Sequence, residues 1–168
     1  MSLASVILVL VTLQRLAELA LSRYNTSRLK ARGAIEVGAN HYLLVVAVHT
    51  AWLITLWVCG RDQDVNLVAF ALFIALQGLR LWILATLGPR WIIVLPGEPL
   101  VTSGPYRYFA HPNYAVVVAA IGLLPLALHL ALVAMIFTIL NAAVLIIRIR
   151  VETRALAAVN GQLVRGAP

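Results

Sequence analysis

The sequence predicts an all-α, polytopic integral membrane protein with five transmembrane helices, the last two a helical hairpin, and a cytoplasmic cap loop. Three observations carry this: composition, the recurrence of long apolar runs, and a one-sided placement of arginine. Of 168 residues, 62% are hydrophobic and 11% charged, where soluble domains average about 45–50% and about 25%. The mean hydropathy is +0.96. A water-soluble globule of this length has too little interior to hide so much apolar side chain. A soluble enzyme, a disordered tail and a disulfide-stapled secreted domain are thereby excluded.

Runs of the length that crosses a bilayer, about 20 apolar residues, fall at residues 2–21, 42–59, 67–87, 114–128 and 130–147. The first resembles a signal peptide in length only. It lacks a positive amino-terminal region, and Arg15 and Glu18 interrupt its apolar part, so a retained helix is expected. The last two runs are separated near Pro125, where proline opposes a straight continuation, and are read as a hairpin turning there. No repeat, low-complexity tract or linker divides the chain, so residues 1–168 form one domain.

Arginine sets the orientation. Arg23, Arg28, Lys30 and Arg32 follow the first span, Arg90 and Arg107 the third, and Arg148, Arg150, Arg154 and Arg165 the fifth. The opposite side holds only Arg61, beside Asp62 and Asp64. The amino terminus is therefore expected outside and the carboxyl terminus in the cytoplasm. The net charge of +7 is explained by this asymmetry, and no nucleic-acid partner is expected. Twelve arginines against one lysine suggest a GC-rich genome, hence a bacterial inner membrane.

Polar residues thus gather on one membrane face. The cap, residues 88–113, carries Pro89, Pro96, Pro99, Pro105 and Pro112 among glycines, and its aromatic residues need something to pack on. It runs into Tyr106, Arg107, His111, Pro112, Asn113 and Tyr114. Pro112 suits a first helical turn, where free backbone N–H groups favour an anion. His111 and Tyr114 then lie one turn apart, facing the same place. On the last helix Asn141, Arg148 and Glu152 form one stripe, and a buried Asn must find partners.

Inside the spans, Gln14, Arg15, Glu18, Gln77 and Arg80 are costly at membrane depth and are expected to pair, with Glu18–Arg80 the structural pair. His41 and His49 share a side of the second span, but a metal site needs a third ligand, and no metal is expected. Cys59 reads as packing and His129 as a turn residue. There is no glycine-rich dinucleotide turn, phosphate-cradling loop, Gly-x-Ser-x-Gly or His-Glu-x-x-His, which argues against a hydrolase or a nucleotide-driven pump.

Gly104-Pro105-Tyr106-Arg107-Tyr108, then His111-Pro112-Asn113-Tyr114, then the arginine-and-glutamate cluster from Arg148 to Glu152 resemble the isoprenylcysteine carboxyl methyltransferase family and related membrane phospholipid methyltransferases. Leu79-Arg80-Leu81-Trp82, Leu87-Gly88-Pro89-Arg90-Trp91, Arg23-Tyr24-Asn25, Gly33, Glu36 and His41-Tyr42 look like a bacterial branch. The resemblance implies S-adenosyl-L-methionine as cofactor without a Rossmann domain. It implies a pocket built from the cap, the ends of the last two helices and the extension 148–168. His111, Pro112 and Tyr114 match the family's His-Pro-x-Tyr, Glu152 the first of its two acidic residues, and Arg148 and Arg150 the basic residues before them. Ala110 and Thr153 depart from the pattern, where arginine and a second acidic residue are common.

The expected activity is O-methylation of a lipophilic acceptor entering from the bilayer, either a prenylcysteine-type carboxylate or another lipid carboxylate, phenol or enol. Arg148, Glu152 and His111 are the candidate catalytic residues. Tyr106, Arg107, His111, Pro112, Tyr114, Asn141, Arg148 and Glu152 are the candidate cofactor-binding set. Two alternatives stand beside this reading: an NADPH-dependent membrane reductase related to sterol reductases, which share a His-Pro-Asn-Tyr stretch, and a non-catalytic lipid-binding protein.

Overall fold

The computed structural model describes residues 1–31, 39–88, 103–109 and 111–165, with side chains omitted at 29, 39–42 and beyond 150. Among the described residues the secondary structure is entirely helical: α1 (Leu3–Lys30), α2 (Ala39–Gly60), α3 (Leu67–Leu87), a 3-10 turn (Gly104–Arg107), α4 (Pro112–Ala127) and α5 (Ala131–Arg165). Four stretches are long and apolar enough to cross a membrane: Leu3–Arg28, Leu43–Gly60, Leu67–Leu87 and Ala131–Arg150. The protein is an integral membrane protein, with five α-helices among the described residues. The fifth expected span, α4, has 16 residues and so reaches about 24 Å, less than the ~30 Å of a hydrocarbon core.

The physical reason α4 can be short is that it is enclosed. It packs most extensively on α3 and α5, and Val116, Val117, Ala120, Ile121 and Leu124 are buried along it. At Gly122 an added Cβ would come within 2.9 Å of Thr138 Oγ1, so glycine lets α4 and α5 approach closely. Ile7, Leu8, Val11, Trp52, Leu56, Phe73 and Leu145 complete the core. Outward-facing Leu10, Val58, Leu67, Val68 and Leu132 are more than half exposed. That is the pattern of a bundle whose solvent is lipid.

The chain's two ends of the bundle are distinct. At one, the Ser2 and Ser5 hydroxyls donate to the Arg61 carbonyl. Asn66 caps α3 by accepting from the Val68 and Ala69 N–H groups at 3.1 Å. Its own N–H donates to the Ala127 carbonyl at 2.8 Å, tying α3 to the end of α4. The α4–α5 turn lies here too. The hairpin is as expected, but the turn is three residues past Pro125. His129 takes a left-handed φ of 58°, its N–H donating to Leu126 and that of Leu130 to Pro125, a Schellman arrangement.

Pro125 itself stays inside α4. Proline there removes the hydrogen bond that the Ile121 carbonyl would accept. The Trp52 indole N–H donates to that carbonyl instead, at 3.2 Å, and the helix continues.

Two expected boundaries move. Arg23, Arg28 and Lys30, expected in a loop after residue 21, lie on α1, which runs on to Lys30; nothing in that stretch breaks a helix, and the Arg28 guanidinium stacks over Tyr24 at 5.9 Å. The extension after 147 continues α5 to Arg165. Of the expected cap, residues 89–102 and 110 lie outside the described residues. The 3-10 turn at its end rests on α3. Gly104, at φ +58°, sits where a Cβ would meet Thr86 Oγ1 at 2.8 Å, so both the backbone angle and the close approach require glycine there.

Candidate functional site

At the end of the bundle opposite the hairpin turn, the chain brings together residues that lie far apart in sequence. His111 is the N-cap of α4 and Pro112, at the first helical position, is buried. The His111 side chain makes no capping hydrogen bond; its ring stacks on Tyr114, 5.6 Å between centroids and 19° between planes. The Arg148 guanidinium of α5 lies over the same Tyr114 ring, 6.0 Å from its centroid. The three-residue connection between α4 and α5 fixes this meeting, because it sets the register in which Tyr114 and Arg148 face each other.

Two amides on α4 and α5 each have a buried polar atom that is unused. Asn141 on α5 is 1% exposed and its Nδ2 has no hydrogen-bond partner; neither has the buried Oδ1 of Asn113 in the first turn of α4. A buried donor or acceptor without a partner costs about 1–3 kcal/mol. One unused donor and one unused acceptor, on the same two helices as the aromatic face and the guanidinium, suit a polar, partly aromatic ligand.

The first turn of α4 differs from expectation. Pro112 has no N–H, and the Tyr114 and Ala115 amides both turn to the His111 carbonyl, at 3.2 and 3.3 Å. Two of the backbone donors foreseen there are thus engaged within the turn itself.

Tyr106 and Arg107 lie on the 3-10 turn. Tyr106 is half-buried, and desolvation pushes its phenol up to about 12, so it is a neutral hydrogen-bonding group at physiological pH. Arg107 is exposed, as are Tyr108 and Phe109. Glu152 lies four residues beyond Arg148 on the backbone of α5; its side chain falls outside the described residues.

A second polar assembly lies among α1, α2 and α3. The expected Glu18–Arg80 pair is bidentate, with Arg80 Nε and Nη2 each 2.8 Å from a carboxylate oxygen. Arg15 Nη1 adds a bond at 3.0 Å. Gln14 Nε2 reaches Glu18 Oε1 at 3.1 Å and Gln77 Oε1 at 2.8 Å. His49 stands within electrostatic range of Arg15, Arg80 and Glu18, whereas the side chain of His41 lies outside the described residues.

Sequence reasoning passed over Asn113 as a site residue and did not join His49 to the Glu18 cluster. The signal for Asn113 was its position between His111 and Tyr114, since two residues one turn apart enclose the one between them at a helix start.

Residues 67–158 match the Isoprenylcysteine carboxyl methyltransferase (ICMT) family. The match takes in α3, the 3-10 turn, α4 and most of α5, and so contains His111, Tyr114, Asn141, Arg148 and Glu152. The chain belongs to this family. It is also 36% identical over 158 residues to the uncharacterized protein YpbQ of Bacillus subtilis (strain 168), an alignment covering 89% of this chain and 94% of that one. No solved structure matches the chain significantly. Family membership and the apolar helices together make this, in general terms, a membrane methyltransferase.

Proposed function

We propose that the chain uses S-adenosyl-L-methionine to O-methylate a lipophilic acceptor at the membrane interface. The observation that carries the reading is the convergence of His111, Tyr114 and Arg148, which joins the His-Pro-Asn-Tyr stretch to the basic stretch of the last helix.

The residues present fit this cofactor. Its carboxylate suits the Arg148 guanidinium, and its sulfonium and adenine both suit an aromatic face such as Tyr114. Its amino and hydroxyl groups suit the unused Asn113 Oδ1 and Asn141 Nδ2. Glu152 on the same helix is assigned to the amino group or the ribose. When bound, the cofactor supplies an activated methyl group. The chain's own contribution is to hold two reactants in line and to exclude water. An acceptor that is already ionised requires no base; for a phenol or enol, His111 and Glu152 are the assigned candidates.

The cofactor enters from the cytoplasm and the acceptor through the bilayer, which places the carboxyl-terminal end of α5 on the cytoplasmic side of an inner membrane. The test is transfer of a labelled methyl group from the cofactor into a lipid extract by the purified protein. Labelled lipid from the wild-type chain, absent with Arg148→Gln, supports the reading. NADPH oxidation without methyl incorporation contradicts it.

A further inference from the structure

The cluster around Glu18 contains more than a structural ion pair requires. Two guanidinium groups face one carboxylate, and all four contacts to Glu18 are already made: Oε1 accepts from Gln14 and Arg80, Oε2 from Arg15 and Arg80. Yet Arg15 Nε, Arg80 Nη1 and Gln77 Nε2 remain buried without an acceptor, and His49 Nε2 is buried without a partner. Arg80 is 5% exposed. Arg15 Nη1 and Arg80 Nη2 both lie within 3.0 Å of the same oxygen, Glu18 Oε2, so the two guanidiniums meet at one carboxylate. The assembly is rich in donors, and its two guanidiniums against one carboxylate leave one positive charge in excess. Arginines at membrane depth with open donors mark a place for an anionic group.

Its position limits what the anion can be. Next to the polar residues along α1 and α3 stand Leu13, Leu16, Leu79 and Leu81, all exposed, so a ligand reaching the cluster from outside meets lipid-facing side chains. Along the antiparallel pair α3–α4, Arg80 and Asn113 are equally far from the Asn66–Ala127 contact. The cluster therefore shares a depth with Asn113 and Tyr114. It draws on Gln14, Arg15, Glu18 and His49, which precede the part of the chain matched to the family.

We propose that this cluster is an oxyanion subsite that receives the ionised headgroup of an acidic amphiphile, and that this amphiphile is the methyl acceptor. The second half rests on the methyltransferase reading above. An ionised oxygen uses its own lone pair to form the new O–C bond. The methyl-to-sulfur bond breaks with its electron pair left on sulfur, and no proton has to be removed.

The experiment uses the full chain in zwitterionic phosphatidylcholine nanodiscs at mildly alkaline pH, with myristate and myristyl alcohol as probes and phosphatidylglycerol as a third arm. Wild-type protein is expected to bind myristate at least tenfold more tightly than the alcohol. Arg15→Gln, which leaves the Arg80–Glu18 pair intact, removes that preference while affinity for S-adenosyl-L-methionine is unchanged; Arg15→Lys restores part of it. Equal affinity for acid and alcohol in the wild type overturns the subsite. Phosphatidylglycerol competing as well as myristate assigns the site to bilayer headgroups and overturns the acceptor half. Acid preference without any cofactor binding keeps the subsite and overturns the methyltransferase reading.

Discussion

Around Glu18, side chains from α1 and α3 close on one carboxylate until its oxygens can accept no more. Around Tyr114 the groups are of another kind: an aromatic stack, a guanidinium over the ring, and on the same two helices two amides that each keep one buried atom without a partner. The contrast shows how a thin bundle holds polar groups in an apolar solvent. The first assembly binds three helix-borne charges to one another and so supports the bundle, while Arg15 Nε and Arg80 Nη1 stay open for the anion proposed above. The second draws its groups from two helices whose register is set by a short turn, which suits the cofactor site proposed for it.

The two regions should therefore respond differently to substitution. The largest effect is expected from Glu18→Ala, which leaves two guanidiniums without their carboxylate. Removing one partner of a buried pair costs about 3–5 kcal/mol, read as a lowered Tm in detergent. A Tm unchanged by this variant would erase the distinction between the two assemblies. Next comes Arg148→Gln, expected to leave Tm nearly as it was while weakening cofactor binding by about ten- to a hundredfold, the worth of a hydrogen bond to a charged group, ~1.5–3 kcal/mol. Glu152→Ala should act in the same direction.

Asn141→Leu sharpens the comparison further. If its open Nδ2 serves a ligand, replacing it by a similar-sized apolar group raises or preserves stability and lowers cofactor affinity by about fivefold, ~1 kcal/mol. A fall in Tm with unchanged affinity would make Asn141 a packing residue. The smallest effect concerns Tyr106. Its phenol is held up to about 12 by burial, against 10.0 for an ordinary tyrosine. The folded chain thus keeps a proton that the unfolded chain loses, so the stability linked to Tyr106 is whole below pH 10 and declines as pH rises towards 12. Phenolate absorbance compared with Tyr106→Phe should show no ionisation of this group at pH 10.

Much of this arrangement was legible in the sequence, and what was not had long-range causes. Charges are so rare in the spans that Glu18 and Arg80 could be paired by elimination, and His111 and Tyr114 fall together because three residues make a helical turn. The end of α1 was not legible: hydropathy marks where lipid ends, whereas the helix continues through charged residues to Lys30. The turn after α4 was legible in part: His129 and the ends of the two apolar runs marked its place, whereas the rule that proline ends a helix put it near Pro125, where Trp52 from α2 supplies the donor that proline lacks. The meeting of Tyr114 with Arg148 depends on that displaced turn, so motif spacing alone did not establish it. The open nitrogens of Arg15, Arg80 and Asn141 follow from counting partners, which requires coordinates.

Calorimetric titration of the detergent-solubilised chain with S-adenosyl-L-methionine, and in parallel with NADPH, tests the central claim most directly. Saturable binding of the methyl donor that is lost on Arg148→Gln, with no heat from NADPH, is the predicted result. Binding of NADPH in its place, or an affinity for the methyl donor indifferent to Tyr114→Ala and Arg148→Gln alike, would contradict it.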